Sequence, residues 1–262
     1  MNKRAFARAA ALLLTGLLMI GWGGFATADD ETDIDNMLAM ANRGDLELGW
    51  SGSITASYFA RRGNSREEDW GLEFGWAYNL DSPWQFDGSI SAESESTNQD
   101  TTDENYEFKN AAKYYKTEST YYVGRANYEK DRFSGIEEEA AGVIGYGREL
   151  FKKGKHRLIG EGGGGFLWSK DAAGESDQGL TGYVAGFYLW ELTEHSKFRQ
   201  LISARYSEFD QNWKLNSVSE ISSNIIGNLD ALLTYEIKRN SEVPSGTANS
   251  DFYTNLGLKY SF

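Results

Sequence analysis

The chain has 262 residues, of which 26 are Lys or Arg and 39 are Asp or Glu, so its formal net charge is −13. A hydrophobic content of 40% and an aromatic content of 14% exclude a disordered chain. The absence of Cys excludes disulfides, thiol nucleophiles and cysteine metal sites, and the acidic balance argues against a nucleic-acid partner, which needs a basic face.

The first segment of the chain has the layout of a secretory signal peptide. A positively charged stretch precedes an apolar run over 9–20, and Ala26-Thr27-Ala28 is a small-residue cleavage site. A membrane anchor is the alternative, but the run is shorter than the roughly 20 residues of a spanning helix. We predict cleavage after Ala28. The predicted division of the chain is a signal peptide at 1–28, an acidic periplasmic lead-in at 29–46 and an outer-membrane β-barrel at 47–262.

From Glu47 onward, apolar and polar residues alternate with a period of two, the pattern of β-strands with one apolar face. Over 69–80 the even positions are large and apolar, whereas the odd positions are small or polar. Most of the alternating segments exceed the 9–11 residues with which a tilted strand crosses a membrane. They predict twelve strands, at about 47–61, 69–80, 84–94, 105–115, 120–130, 138–150, 157–169, 179–190, 197–208, 213–224, 228–240 and 251–262.

The connections between these segments differ on the two sides. Tight connections are predicted near 81–83, 116–119, 151–156, 191–196 and 225–228. Longer, acidic or Gly/Ser/Asn-rich connections are predicted near 95–104, 131–137, 170–178, 208–212 and 241–250, with a short one at 62–66. Short periplasmic turns and longer outer loops are typical of bacterial barrels. The predicted fold is an all-β, transmembrane, up-and-down antiparallel β-barrel of about 12 strands.

The aromatic residues sort to the strand ends, as they do at the two interfaces of a membrane. With a periplasmic N-terminus, one set falls near the periplasmic rim: Trp50, Trp76, Tyr78, Trp84, Tyr114, Tyr122, Tyr146, Tyr188, Trp190 and Tyr260. Another set falls near the outer rim: Tyr58, Trp70, Tyr106, Tyr128, Trp168, Tyr206 and Trp213. A soluble β-sandwich, the alternative architecture, would bury its aromatic residues in mid-strand.

The last strand ends on Phe262, and with Tyr260 this ending resembles the assembly signal of bacterial outer-membrane barrels. The predicted partners are therefore the barrel-assembly machinery, outer-membrane lipid and lipopolysaccharide, together with small polar solutes if the lumen is open. Nucleic acid is not expected as a partner.

Several short elements, taken in order, resemble one protein family. They are Gly63-Asn64-Ser65, Asp131-Arg132-Phe133-Ser134-Gly135-Ile136, Gly145-Tyr146-Gly147, Glu161-Gly162, Pro244-x-Gly246 with Asp251, and the closing Leu258-Lys259-Tyr260-Ser261-Phe262. Over about 47–262 the chain resembles the salt-induced outer-membrane proteins, which carry a YdiY-like domain of unknown function. The resemblance implies a barrel fold and a location in the bacterial outer membrane, and it supplies no reaction. Where the family often has a basic residue, this chain has Glu137-Glu138-Glu139.

No catalytic, cofactor-binding or metal site is predicted, and we expect the protein not to be an enzyme. Outer-membrane phospholipases use Ser and His near the outer leaflet, whereas His156 and His195 fall in predicted periplasmic turns. The glycine run at 160–165 matches GxGxxG, but no helix pattern follows it, so close packing of the barrel wall explains it better. Two predicted loops are rich in acidic residues, which are better explained as solvated acids than as Ca²⁺ ligands. One loop contains Asp100, Asp103 and Glu104, and the other contains Asp171, Glu175 and Asp177.

Charged residues on the inward face of the strands are the candidate site. The predicted lumen-lining residues are Glu73, Asp87, Glu107, Lys109, Lys113, Arg125, Glu161, Arg199, Arg205, Glu236 and Lys238, with Glu93 and Lys259 as further members. Rings of charge around water would form a small pore for polar solutes, whereas salt bridges across the lumen would form a non-conducting structural or salt-stress protein. Twelve strands lie between a filled barrel and an open channel, so both functions stay open.

Overall fold

A computed structural model describes residues 48–62, 66–133, 136–209, 211–241 and 249–262. The predicted signal peptide and the whole of the lead-in lie outside these residues, as do the family elements at 63–65, 134–135 and 244–246. No helix in the described ranges is long and apolar enough to cross a membrane. The strands are β1 Gly49–Arg62, β2 Arg66–Asn79, β3 Trp84–Thr97, β4 Asp100–Thr117, β5 Thr120–Asp131, β6 Ile136–Lys153, β7 His156–Asp171, β8 Ser176–Glu191, β9 Ser196–Ser207, β10 Trp213–Ile226, β11 Leu229–Asn240 and β12 Ser250–Ser261.

Each strand pairs with its sequence neighbours in antiparallel fashion, and β12 pairs with β1, so the sheet closes into a barrel. The predicted twelve-stranded up-and-down barrel is therefore confirmed. We call one end of the barrel the turn end, because its five connections, 80–83, 118–119, 154–155, 192–195 and 227–228, have two to four residues. The opposite end is the loop end. Gly154 and Gly227 open two of the tight turns with φ of 59° and 55°, a backbone region that favours glycine.

The loop end corrects one prediction. The segment 95–104, expected to be a loop, is mostly strand: β3 runs to Thr97, β4 starts at Asp100, and Asn98 and Gln99 alone join them. Both joining residues have positive φ, 54° and 76°, which closes a two-residue hairpin turn. Acidic and Ser-rich composition favours a loop, but backbone pairing continues to Thr97 and Asp100. Glu95 and Asp103 therefore lie directly opposite each other on a paired ribbon beyond Tyr106.

The strands alternate between an exposed apolar face and a buried face. Exterior side chains such as Ile144, Phe166 and Leu256 are mostly exposed, which suits contact with lipid. Neighbouring aromatic residues of the turn-end belt lie close to one another, as in Trp50–Tyr78 at 4.7 Å and Trp84–Tyr114 at 5.2 Å between ring centroids. At the loop end, the rings of Tyr206 and Trp213 are 5.0 Å apart.

The closure between β1 and β12 is shorter than the other ladders. Among the described residues it contains five register pairs, from Ser53–Ser261 to Ser57–Gly257, whereas the other neighbouring strands share 11 to 16. Gly52 and Phe262 extend it by exchanging two backbone hydrogen bonds of 2.8 and 2.9 Å. The rings of Tyr260 and Phe262, the predicted assembly signal, lie beside this closure on the exterior. Their role in assembly stays a prediction.

Candidate functional site

An apolar cluster fills the barrel interior toward the turn end. Its centre is a row of directly opposed side chains, Ile159, Phe187, Leu201 and Val218, one from each strand of β7–β10. Ile159, Phe187 and Val218 have no exposed surface. The complete turn-end cluster is Ala111, Tyr115, Tyr121, Val123, Ile159, Phe187, Leu189, Leu201 and Val218. Water does not reach Ile159, Phe187 and Val218, so the interior is tightly packed around these side chains.

Glu161 on β7 lies next to this cluster and accepts hydrogen bonds from three side chains. The hydroxyls of Tyr121 and Tyr183 donate to its two carboxylate oxygens at 2.8 Å each. The guanidinium of Arg125 donates from Nε and Nη2 at 2.9–3.0 Å. Arg125 and Tyr121 come from β5, so their contacts with Glu161 cross over β6 and join two strands that share no ladder. Tyr183 comes from β8, which pairs directly with β7.

Glycines on β6 make this crossing possible. A Cβ atom on Gly147 would lie 2.1 Å from Cζ of Tyr121, and one on Gly145 would lie 2.4 Å from the hydroxyl oxygen of Tyr183. Gly163 on β7 is equally confined, since its Cβ would lie 2.2 Å from the backbone oxygen of Ile144. The glycine run at 160–165 continues within β7. Its predicted role in close packing agrees with these distances.

Further buried polar contacts lie level with the turn-end cluster or closer to the turn end. Lys113 forms a buried ion pair with Asp87, and Arg199 forms one with Glu220. The hydroxyl of Tyr115 donates to Oε1 of Gln85 at 2.8 Å. Charged groups at low dielectric persist only when they are paired or hydrogen-bonded, which these contacts achieve.

The loop end of the interior is more open. Glu139 on β6 contacts Arg205 on β9 at 2.5 Å and Lys214 on β10 at 3.2 Å. Lys109 pairs with Glu107 at 2.8 Å, and Lys238 lies 3.5 Å from Glu236. Nζ of Lys238 also lies 5.5 Å from the ring centroid of Tyr253. Arg205, Lys214 and Lys238 are half-buried, so we call this region the loop-end vestibule.

The structure places all the predicted lumen-lining residues on the inward face. The buried ones are Glu73, Asp87, Lys109, Lys113, Glu161, Arg199, Glu236 and Lys259. The half-buried ones are Glu93, Glu107, Arg125, Arg205 and Lys238. The contacts bring together Asp87 with Lys113, Arg125 with Glu161, and Glu107 with Lys109, whereas Arg199 and Arg205 pair with residues that sequence reasoning missed.

Sequence reasoning does not find several of the interior residues described above, among them Gln85, Tyr121, Glu139, Lys214 and Glu220. Each lies at an inward position of the alternation, so the period of two carries the signal for all of them. Tyr121 carries no formal charge, whereas charge selects the predicted lumen residues. Glu139 belongs to the acidic stretch that departs from the family pattern, which hides its interior position.

The other residues considered at sequence level have ordinary surroundings. His156 begins β7 at the turn end, where Nδ1 lies 2.7 Å from the hydroxyl of Tyr188 and the ring stacks near Trp190. His195 lies in the connection before β9. Across the ranges that the structure describes, no group of three or more His, Asp or Glu side chains is placed to hold a metal ion.

Known proteins resemble this chain in sequence and in fold. The chain is 27% identical over 248 residues to the uncharacterized protein YdiY of Escherichia coli K12. The matched region covers 94% of this chain and 96% of YdiY. It is similar in fold to the translocator domain of the autotransporter NalP from Neisseria meningitidis, with a TM-score of 0.52, 11% identity and 98% of each chain covered. An outer membrane channel from Pseudomonas putida F1 also has a TM-score of 0.52, with 9% identity, over 82% of this chain and 96% of that chain.

These two structures share the fold of outer-membrane barrels with this chain, and at such low identity they show the fold alone. The family model described as protein of unknown function, DUF481, matches residues 54–262. This match agrees with the YdiY-like resemblance of the sequence elements. The chain belongs to the DUF481 family of proteins of unknown function.

Proposed function

We propose that the protein is an outer-membrane barrel with a filled interior, which serves the envelope as a non-conducting structural protein. Among the described residues, ten of the twelve strands contribute an interior side chain that is at most 3% exposed. This observation carries the proposal, because a conducting pore needs a continuous column of water next to its wall. The proposal does not depend on the salt induction that the family resemblance implies.

The outer membrane is the location that the features of the chain support. Two exterior aromatic belts flank exposed apolar side chains, as expected for a barrel in a bilayer. The predicted signal peptide would export the chain, and the strand topology is that of outer-membrane barrels. A periplasmic location would leave the exposed apolar exterior unexplained.

The contacts inside the barrel support the structural role. In the middle of the interior, polar side chains bond to one another across strands instead of lining open water. Glu161, for example, links β5, β7 and β8. Nearer the loop end, Glu139 links β6, β9 and β10. Such bonds hold the strands together, and the side chains that form them also obstruct the lumen.

A passive pore for small polar solutes is the second candidate. It is favoured by the loop-end vestibule, where ionisable side chains of both signs remain partly exposed. A pore would require the turn-end cluster to move aside.

Conductance measurements distinguish the two candidates. We expect the full-length protein, refolded and inserted in planar bilayers, to give no discrete channel steps. Folding is checked by a shift in gel mobility between unboiled and boiled samples. Replacing two interior side chains, Tyr121→Ala with Phe187→Ala, should open the turn-end cluster and produce steps. The matched exterior change Phe166→Ala should not. Regular steps from the folded wild-type protein would overturn the proposal in favour of the pore.

A further inference from the structure

Two positive charges lie side by side in the loop-end vestibule. Arg205 on β9 and Lys214 on β10 are direct register partners, and both are on the inward face. Like charges at opposed positions of a ladder repel each other, so this pair requires an anion between them. Their side chains are 28% and 37% exposed, which leaves them open to the vestibule.

Glu139 supplies that anion from across the interior. Its Oε1 lies 2.5 Å from Nη1 of Arg205, and its Oε2 lies 3.2 Å from Nζ of Lys214. Each carboxylate oxygen thus contacts one cation, as a bound carboxylate ligand would. The side chain reaches over from β6, which shares no ladder with β9 or β10.

Neighbouring carboxylates on the same side of the barrel favour the displacement of Glu139 from Arg205 and Lys214. It is the register partner of Glu129 on β5, and Glu129 is the register partner of Glu107 on β4. Three carboxylates therefore stand in a row on the inward face of β4–β6. Lys109 pairs with Glu107 at 2.8 Å, so the repulsion that Glu139 meets in this row comes chiefly from Glu129. This repulsion opposes the attraction of Arg205 and Lys214 and so favours exchange of Glu139 for a second carboxylate.

A neighbouring hydroxyl offers a further contact for a ligand. Ser207 follows Arg205 by two positions on the same face of β9 and is 4% exposed. Within the part of the chain that the structure describes, its Oγ is buried and makes no hydrogen bond. A buried hydroxyl is costly to leave without a bond, and an anion on Arg205 would supply an acceptor.

We propose that Arg205 and Lys214 form a binding site for the carboxylate group of a small solute entering from the loop end, and that Glu139 is the internal carboxylate that occupies the site otherwise. At the two cations one carboxylate exchanges for another, so Arg205 and Lys214 keep a paired charge, and the displaced Glu139 carboxylate is left to the water of the vestibule. The site extends the proposed function without depending on it, because the solute needs the vestibule and no path through the turn end.

The test compares two glutamates that each lie between two cations. Glu139→Gln removes the internal competitor. Glu138→Gln is the matched control, since Glu138 is the next residue on the opposite face and lies 3.6 and 3.7 Å from Lys130 and Lys170. Succinate binding to the full-length protein in detergent is measured by calorimetry and by the rise in melting temperature. We expect Glu139→Gln to bind succinate at least tenfold more tightly than wild type, and Glu138→Gln to match wild type.

Further arms make the result decisive. Adding Arg205→Gln to Glu139→Gln should abolish the gain, and chloride or neutral succinamide should not replace succinate. If Glu139→Gln does not fold, Glu139→Asp serves instead, because its shorter side chain cannot reach both cations and should give a smaller gain. Equal gains in the Glu138 and Glu139 variants, or equal effects of chloride and succinate, would show general screening of charge and would overturn the proposal. No gain in either Glu139 variant would overturn it as well.

Discussion

At the scale of single residues, Glu161 shows how a charged group becomes part of a closed interior. Its carboxylate is buried, and its two oxygens are shared among Tyr121, Tyr183 and Arg125. This many hydrogen-bond donors stabilise the ionised form of the carboxylate, and the carboxylate orients the donors in turn. Glu161 is therefore a structural centre rather than a catalytic one.

Replacing this carboxylate should destabilise the barrel. We expect Glu161→Gln to lower the free energy of unfolding by about 3 kcal/mol, because Arg125 loses its buried counter-charge. Tyr183→Phe, which removes one donor, should cost about 1 kcal/mol. Urea unfolding in detergent, followed by tryptophan fluorescence, measures both. Glu175→Gln, in an exposed loop, is the control. If Glu161→Gln behaves like this control, the hydrogen-bonded centre has been assigned wrongly.

At the scale of elements, β6 is shaped to let its neighbours' side chains cross it. Gly145 and Gly147 occupy inward positions where any side chain would collide with Tyr183 or Tyr121. A Cβ atom on Gly142 of the same strand would meet nothing within 4 Å. The inward face of β6 therefore has no side chain where the tyrosine rings lie, whereas the outward face at Gly142 has room for one.

A pair of alanine substitutions on β6 tests this shape. Gly147→Ala should lower the free energy of unfolding by about 1–3 kcal/mol through overpacking against Tyr121. Gly142→Ala should change it by no more than about 0.5 kcal/mol. In a Tyr121→Leu background the penalty of Gly147→Ala should shrink, since the colliding Cζ atom is gone. The same urea unfolding assay applies. Equal effects of the two alanines would contradict the crossing.

At the scale of the whole molecule, the barrel is closed by its shortest described ladder. Continuing the β1–β12 register past Ser57–Gly257 would bring Tyr58 opposite Leu256, but this pair is not formed. Among the described residues, backbone pairing between β1 and β12 covers the turn-end part of this junction and stops short of the loop end.

Cysteine pairs can map this junction, because the chain contains no Cys of its own. Ala56→Cys with Leu258→Cys lies within the ladder and should form a disulfide on mild oxidation. Tyr58→Cys with Leu256→Cys, two positions further on the same face, should cross-link much more slowly. Gel mobility after heating, with and without reductant, reports the bond. Equal cross-linking of both pairs would mean that the ladder continues.

The sequence was sufficient to predict the strands and their faces, because in a barrel both follow from local alternation. The positions of Glu73, Lys113 and Arg199 needed only the period of two. The partners across the interior could not be predicted, since Glu139 and Lys214 are 75 positions apart and meet only through the stagger of the strands. The β3–β4 ribbon was missed for a different reason: its acidic composition resembles a loop, whereas its backbone is paired.

That ribbon has a physical consequence for the rim of the barrel. Glu95 and Asp103 face each other on it, and the charge of Asp131 on β5 also acts on Asp103. The Debye length falls from about 8 Å at 0.15 M salt to about 3 Å at 1 M. Repulsion between carboxylates at this exposed end therefore weakens as ionic strength rises, while the pairs buried deeper in the barrel are shielded from the change. Salt thus changes the electrostatic repulsion at the rim and leaves the buried ion pairs of the barrel nearly unchanged.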